Sequence, residues 1–295
     1  MLHTNNRLIL YKQLTLDNKD KLKFFLEKHS TKEGTWGLLQ LKNGEIDFIM
    51  LDGADQTLAE FRKDKKNPLM EIPPAAWHKI RLLSDNFTGI IQFYCQPHRY
   101  FSKKYNLNNV HQDLYYAYNT YFPQNRHLKI LDVGCGSGRN LLYLALLGHQ
   151  ITGIDINNSA LRSIKDISEK ENLNNVQLVH HDLNKPLTLT EGYDAVISLV
   201  TLQFLKTQHI LSLLQELQMA TLDKGLHLIV TPIKADLYKF PDSFSYLPGS
   251  KELYKLYQNA GWSILEYKES VAQLHRLDEA GKPIQGMFAL LVASK

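Results

Sequence analysis

Leu131-Asp132-Val133-Gly134-Cys135-Gly136-Ser137-Gly138-Arg139-Asn140 joins two patterns that do not belong to one element. Lys129 to Val133 reads as a buried strand, and Arg139 to Leu147 reads as a helix. Between them glycine stands at every second position. Glycine lets the chain turn through positive φ and, lacking a Cβ, lets the backbone come within contact distance of a ligand. The helix that follows presents unpaired N–H groups. A strand, a ligand-approaching turn and a helix in that order open an α/β sheet of the nucleotide-binding kind.

The sequence downstream continues the alternation. Ile151 to Asp155 predicts a second strand, Ser159 to Glu171 a helix with Ser159 as its cap, and Val176 to Val179 a third strand. Ala195 to Leu199 and His227 to Val230 follow as strands, with a helix over His209 to Thr221 between them. Ser263 to Tyr267 and Met287 to Ala293 complete a seven-stranded, largely parallel, Rossmann-like sheet, and the last run is apolar enough to lie inside it.

Upstream the texture differs. From Arg7 to about Tyr94 short alternating runs separated by turn residues predict an all-β domain, a small sandwich or open barrel. Trp36 to Leu41 and Glu45 to Met50 flank Asn43-Gly44, which predicts a tight hairpin with its register set locally. Trp77 to Leu83 and Phe87 to Phe93 are further strands, Pro73-Pro74 makes a stiff entry to the first of them, and Phe61 to Pro68 reads as a charged loop. Trp36 and Trp77 are expected in the core. The change of texture between Pro97 and Asn109 sets the expected domains at 1–97 and 98–295.

Composition bounds the function. A chain of 295 residues with 44% hydrophobic and 22% charged residues has room for two globular domains. Its net charge of +4, from 34 Lys+Arg against 30 Asp+Glu, argues against a dedicated nucleic-acid binder and suits an anionic small-molecule substrate. Two cysteines, Cys95 and Cys135, make neither a disulfide framework nor a metal spacing, which favours a reducing compartment. Without a signal-peptide core or a long apolar run, a cytoplasmic protein with no membrane partner is expected.

The chemistry gathers at the ends of the first three α/β strands. Arg139 stands where a nicotinamide-binding loop carries its third glycine, so a nicotinamide-dependent reductase is disfavoured, and the G-x-G-x-G spacing fits S-adenosyl-L-methionine better. Asp155, about twenty residues on, is placed to accept hydrogen bonds from both hydroxyls of a ribose. Asp182 lies just past the third strand, where it could accept from an adenine amino group. Cys135 inside the loop reads as a small packed residue rather than a nucleophile.

Four segments carry a resemblance that spans nearly the whole chain: Tyr100-Phe101-Ser102-Lys103-Lys104-Tyr105, the glycine segment extended through Leu141-Leu142-Tyr143-Leu144, Gln203-Phe204-Leu205, and Gln273-Leu274-His275-Arg276-Leu277-Asp278. In these it resembles the tellurite-resistance TehB family of S-adenosylmethionine-dependent methyltransferases, in its longer two-domain form. The resemblance implies a class I methyltransferase domain preceded by a small cupin-like domain. It places Gly134, Cys135, Gly136, Arg139 and Asn140 around the methionine part of the cofactor, Asp155 with Ile156 at its ribose, and Asp182-Leu183 beside its adenine. Leu199 falls near the sulfonium, and Tyr105 and His111 correspond to residues that close over the cofactor.

His275 and Arg276 match the family's substrate-side pair. Two cationic donors suit an oxyanion, because charge-assisted bonds from arginine are short and can be bidentate. The implied acceptor is a metalloid oxyanion, tellurite or selenite, and a homodimer is compatible with the pattern. The chain departs from the family at Pro283, where the pattern carries a further arginine, and Lys282 is the neighbouring cation. In the front domain only His29 and His78 remain of a cupin-type metal cluster, too few ligands for a stable site, so no metal is expected. Two other readings stay open: methylation of a small organic thiol or amine, and a non-catalytic S-adenosylmethionine sensor.

Overall fold

The computed structural model describes residues 8–17, 19–189, 192–277 and 281–295, while the side chains of 19–21 and 274–277 lie outside the described set. The chain forms two compact units, Met1–Asn109 and Val110–Lys295. The stretch 97–109 falls in the first unit, where the short helix after Pro97 packs on that unit's first strand and buries Tyr100 and Phe101.

In chain order the first unit comprises β1 (Ile9–Leu16), α1 (Lys19–Leu26), β2 (His29–Ser30), β3 (Trp36–Asn43), β4 (Ile46–Leu51), β5 (Thr57–Lys63), β6 (Leu69–Ile72), β7 (Trp77–Leu82), β8 (Thr88–Cys95) and α2 (Tyr100–Tyr105). The strands form two four-stranded antiparallel sheets, β1-β8-β3-β6 and β2-β7-β4-β5. Leu39, Leu41 and Ile91 of the first sheet share one buried core with Ile46, Phe48 and Ile80 of the second. This is a sandwich.

Four local expectations are corrected. The Asn43-Gly44 turn forms, with Gly44 at φ +84°, but it does not close a hairpin, since β3 pairs with β8 and β6 while β4 pairs with β7 and β5. Both alternating runs bury their apolar faces across the core rather than side by side, and the Glu45 N–H donates to Ser84 Oγ at 2.8 Å, on the crossing between β7 and β8. Phe61, Arg62 and Lys63 end strand β5 and are not loop: Arg62 and Arg81 converge from neighbouring strands on buried Asp47, both at 2.7 Å. Helix α1 interrupts the all-β pattern; Leu22 and Phe25, three apart, are its buried side. Trp77 is 41% exposed, with Lys28 Nζ 5.2 Å from its ring centroid, so it is not a core residue.

The second unit comprises α3 (Gln112–Tyr121), β9 (Lys129–Val133), α4 (Arg139–Leu146), β10 (Gln150–Asp155), α5 (Asn158–Lys170), β11 (Val176–His180), β12 (Tyr193–Leu199), α6 (Thr207–Met219), β13 (Thr221–Pro232), α7 (Glu252–Asn259), β14 (Ser263–Leu277) and β15 (Pro283–Ser294). Its seven-stranded sheet has the order β11-β10-β9-β12-β13-β15-β14, parallel except for β15. Strand β9 lies inside the sheet with Ile130, Leu131 and Val133 fully buried, as expected of a strand covered on both faces, and it buries Asp132 among them. Successive strands run outward on either side of β9, which puts the switch in strand order, and the crevice it opens, at the carboxyl end of β9. The cap of α5 is Asn157, not Ser159: its Oδ1 accepts the Ser159 and Ala160 N–H groups at 3.0 and 3.1 Å.

Among the described residues no helix is long and apolar enough to cross a membrane, and no three His, Cys, Asp or Glu side chains cluster as metal ligands.

Two buried histidines of this unit predict its acid response. His149 Nδ1 accepts the Leu128 N–H at 3.0 Å and its Nε2–H donates to Tyr118 Oη at 2.8 Å; His227 sits between Thr221 Oγ1 and Tyr257 Oη at 2.7 and 2.6 Å. Burial lowers His149 to about 4 and His227 to about 3. The unfolded chain binds these protons near pH 6.5 and the folded chain does not, so their stabilising contribution is whole above pH 6.5 and is lost as pH falls towards 3–4. Urea midpoints measured from pH 8 to 4 should therefore fall steadily below about pH 6.5. A flat profile would contradict the buried neutral state.

Candidate active site

The glycine turn is built by three left-handed residues that are required for different reasons. Gly134, Gly136 and Gly138 have φ of +75°, +54° and +82°. A Cβ on Gly134 would stand 2.2 Å from Thr201 Cγ2, and one on Gly138 would stand 2.6 Å from Ile164 Cγ1. One on Gly136 would meet nothing within 4 Å. The outer two glycines therefore seat the turn against the protein, and the middle one leaves backbone facing open space. The Gly134 and Cys135 N–H groups both donate to the Ile154 carbonyl, at 2.8 and 3.0 Å, which fixes the turn to the end of β10.

Asp155 completes that fixing. Its Oδ2 accepts the Gly136 N–H at 2.8 Å, and its Oδ1 accepts the Asn157 N–H at the same distance. Each carboxylate oxygen keeps a lone pair for a further donor. Ile156 beside it is 62% exposed, an unusual state for isoleucine and one that offers an apolar surface at the strand ends. The His181 N–H donates to the Asp155 carbonyl at 3.1 Å, so the residues after β11 are held next to this carboxylate. There Asp182 Oδ1 accepts from the Asn184 backbone and side chain, and the backbone bond, outweighing burial, holds its carboxyl below the usual range. Leu183 is buried beneath it.

Beneath the turn the polar groups are unusual. Asp132 is buried, its Oδ2 has no hydrogen-bond partner among the described residues, and burial followed by the nearby Asp155 charge raises its carboxyl to about 7, against the pull of Arg139. Cys135 is buried, and burial with the two aspartates drives its thiol far up, which makes a nucleophilic thiolate unfavourable. Arg139 opens α4, where burial lowers its pKa and Asp132 raises it. Asn140 Oδ1 accepts the His111 N–H at 3.0 Å. His111 itself caps α3, its Nδ1 accepting the Asp113 N–H at 3.3 Å.

Leu199 ends β12 at 7% exposure. The next residue is one the sequence did not flag: Val200 lies at φ +59°, a strained conformation for a β-branched side chain. It is held there by its N–H on the Val230 carbonyl at 2.8 Å and by Gln203 Nε2 on its own carbonyl at 2.8 Å. This bend places Thr201 in the space that a side chain on Gly134 would take. Leu199-Val200-Thr201 contains no glycine, so no sequence signal announces the turn.

Strands β14 and β15 run on past the carboxyl end of β13, whose Pro232 pairs with Phe288, as a two-stranded ribbon over 269–277 and 283–288. The backbone of His275 and Arg276 therefore lies beyond the same sheet edge as the glycine turn, while their side chains lie outside the described set. Lys239, Gln273, Lys282, Pro283 and Gln285 line an open depression on this ribbon. Tyr105 belongs to the first unit, at the end of α2, where its ring stacks on Phe101.

With this geometry, comparison with known proteins is specific. The family described as "Tellurite resistance protein TehB" matches residues 93–292, and a "TehB-like domain" family matches 17–89. A "Probable S-adenosyl-L-methionine-dependent methyltransferase TehB" of Haemophilus influenzae is 38% identical over 98% of this chain and 99% of its own. The crystal structure of TehB from Haemophilus influenzae superposes with a TM-score of 0.91 at 35% identity, covering 98% of this chain and 99% of that one. "Hemagglutinin 1" of Eikenella corrodens is 31% identical over 85% of this chain and 80% of its own.

Proposed function

Because the chain belongs to the TehB family, we propose that it transfers the methyl group of S-adenosyl-L-methionine to a metalloid oxyanion, tellurite before selenite. The observation that carries the reading is the Gly136 turn, open to a ligand and clamped by Asp155 at the switch in strand order.

The residues present fit that cofactor. Asp155 has lone pairs to spare for two ribose hydroxyls, exposed Ile156 suits one face of an adenine, and the ionised Asp182 can accept from its amino group. The Asp132 Oδ2 under the turn, without a hydrogen-bond partner among the described residues, is a buried acceptor beside the segment that would line the methionine part. Gly134, Cys135, Gly136, Arg139 and Asn140 would line the methionine part and Leu199 the sulfonium side, with His111 holding the start of α3 against Asn140.

S-adenosylmethionine supplies a methyl group on an already activated sulfonium. The protein therefore need not provide a nucleophile, in keeping with the neutral Cys135. Its work is to align donor and acceptor and to strip water from a charged acceptor. Tellurite presents a lone pair on its heavy atom, so as the acceptor it would need no proton removed by the protein. His275 and Arg276, on the ribbon past the sheet edge, would hold the oxyanion.

Formation of S-adenosylhomocysteine, measured by chromatography with tellurite, selenite or no acceptor, tests this. Tellurite-dependent formation should fall at least about tenfold in Arg276→Ala, the loss expected for one charge-assisted contact. Cofactor binding without acceptor-dependent turnover would overturn the metalloid reading in favour of an organic acceptor or a sensor.

A further inference from the structure

The first unit contains a cavity of about 630 Å³, within the range of roughly 300–1,000 Å³ typical of small-molecule sites. None of the residues proposed for the cofactor or the acceptor lines it.

The register of β1 orders the lining. Lys12, Leu14 and Leu16 stand at alternate positions of the strand and all three line the cavity, so they share the face turned into the sandwich. Their exposure falls along that face: Lys12 is exposed, Leu14 is half-buried and Leu16 is 0% exposed. At about 3.3 Å per residue, the backbone of the cation and that of the innermost leucine stand roughly 13 Å apart. The neighbouring strand continues the apolar wall, with Phe93 opposite Lys12 and buried Ile91 opposite Leu14. The cavity therefore runs from a cation at the surface to hydrocarbon in the core.

Further cations gather at the outer end. Thr35 Oγ1 lies 3.3 Å from Tyr11 Oη, and the Thr35 N–H closes a turn on the Lys32 carbonyl at 3.0 Å, so this turn sits beside the Lys12 end of β1. Lys103 Nζ and Arg99 Nη1 both donate to the carbonyl of the next residue, Glu33, at 3.1 and 3.3 Å. Lys32 and Lys103 line the cavity with Lys12, and no aspartate or glutamate does. Among the described residues no carboxylate stands within 4 Å of the charged groups of Lys12, Lys32, Arg99 or Lys103. Burial, then the Arg99 charge, lowers the pKa of half-buried Lys103, and the Glu33 carboxylate opposes this more weakly than Arg99 promotes it. An added negative charge would relieve that crowding.

The other polar groups do not decide the sign of a ligand. Tyr11, Ser30, Thr31 and Thr35 bring hydroxyls, which can donate to an anion or accept from a neutral group. His29 and His78 are kept neutral at pH 7 by burial. Only the ammonium groups carry charge in the lining.

We propose that this cavity binds an amphipathic organic anion, a monocarboxylate whose apolar body lies against Leu14, Leu16 and Ile91 and whose carboxylate lies at the end formed by Lys12, Lys32 and Lys103.

Calorimetry on the full chain with ligands of one body and three charges tests it: 4-phenylbutanoate, 4-phenylbutan-1-ol and 4-phenylbutylamine, with acetate as a carboxylate that has no body. 4-Phenylbutanoate should bind at least about tenfold more tightly than the alcohol or the amine, the value of one charge-assisted contact, and acetate should not saturate where it does. Joint replacement Lys12→Gln, Lys32→Gln and Lys103→Gln should weaken 4-phenylbutanoate at least about tenfold and leave the alcohol unchanged. Leu14→Trp, which fills the channel between the two ends, should weaken acid and alcohol alike. Absence of saturable 4-phenylbutanoate binding at millimolar concentration, equal affinity for the acid and the alcohol, or full affinity in the folded lysine variant would overturn the assignment. The ligand comparison on the unaltered chain stands whether or not either variant folds.

Discussion

Replacing Asp155 with alanine should reduce affinity for S-adenosylmethionine by about 100-fold, and replacing it with asparagine by about tenfold. Both carboxylate oxygens are in use before any ligand arrives, one on the Gly136 N–H and one on the Asn157 N–H, each at 2.8 Å. Alanine thus removes two things at once: the acceptor proposed for the ribose hydroxyls, and the clamp that gives the turn its shape. Asparagine keeps one acceptor oxygen and loses the charge. A hydrogen bond to a charged group contributes about 1.5–3 kcal/mol, so the loss of one ribose contact plus a loosened turn amounts to the larger factor. Titration calorimetry on folded variants gives the answer. Unchanged affinity in Asp155→Ala would show that the ribose lies elsewhere.

Alanine at Gly134 and alanine at Gly136 should separate stability from binding. At Gly134 the new Cβ stands 2.2 Å from Thr201 Cγ2, and the residue must hold φ +75°. Left-handed backbone for a residue with a Cβ costs ~1–2 kcal/mol. Overpacking adds ~1–3 kcal/mol. The melting temperature should fall by on the order of 10 °C. Combining it with Thr201→Ala should recover part of the loss and not all, because Thr201 Cβ itself lies 2.8 Å away and the backbone strain remains. At Gly136 the Cβ meets no protein atom, so only the backbone term applies and the melting temperature should fall by a few degrees. Cofactor affinity should nevertheless drop in Gly136→Ala, since the added methyl would enter the space proposed for the ligand. Calorimetric melting and cofactor titration on both variants distinguish the two effects; a Gly134→Ala protein as stable as its parent would mean that Thr201 does not fill that space.

The α/β half was readable because its signals are local. Buried parallel strands such as Lys129–Val133 are rich in large apolar residues, their helices are amphipathic, and the turn between them is written in glycines whose requirement is steric. The same locality made Asp155 and Asp182 legible, since a residue at a strand's carboxyl end reaches the crevice whatever the distant packing. Val200 was illegible for the opposite reason: nothing in valine favours positive φ, and its conformation is imposed by hydrogen bonds from Gln203 and to Val230.

The front unit shows the limit most clearly. Alternation announced four of its strands, β3, β4, β7 and β8, and Asn43-Gly44 announced a turn, but an alternating run is equally well buried beside its neighbour or across a core from it. Packing of Leu39 and Leu41 against the layer of Ile46 and Phe48 decided for the second, and the expected hairpin became a crossing between sheets. What the amino-acid sequence determined by itself was the strand inventory of the α/β unit, the glycine turn and the carboxylates at the strand ends, because each depends on residues within one strand-turn-helix unit. What only the tertiary structure decided was which strands pair, that His29 and His78 face each other beside a cavity, and that Asp132 lies buried with an oxygen unsatisfied among the described residues. Those depend on contacts between residues far apart in the chain, where the free energy of burial is shared among many partners and no single residue type reports it.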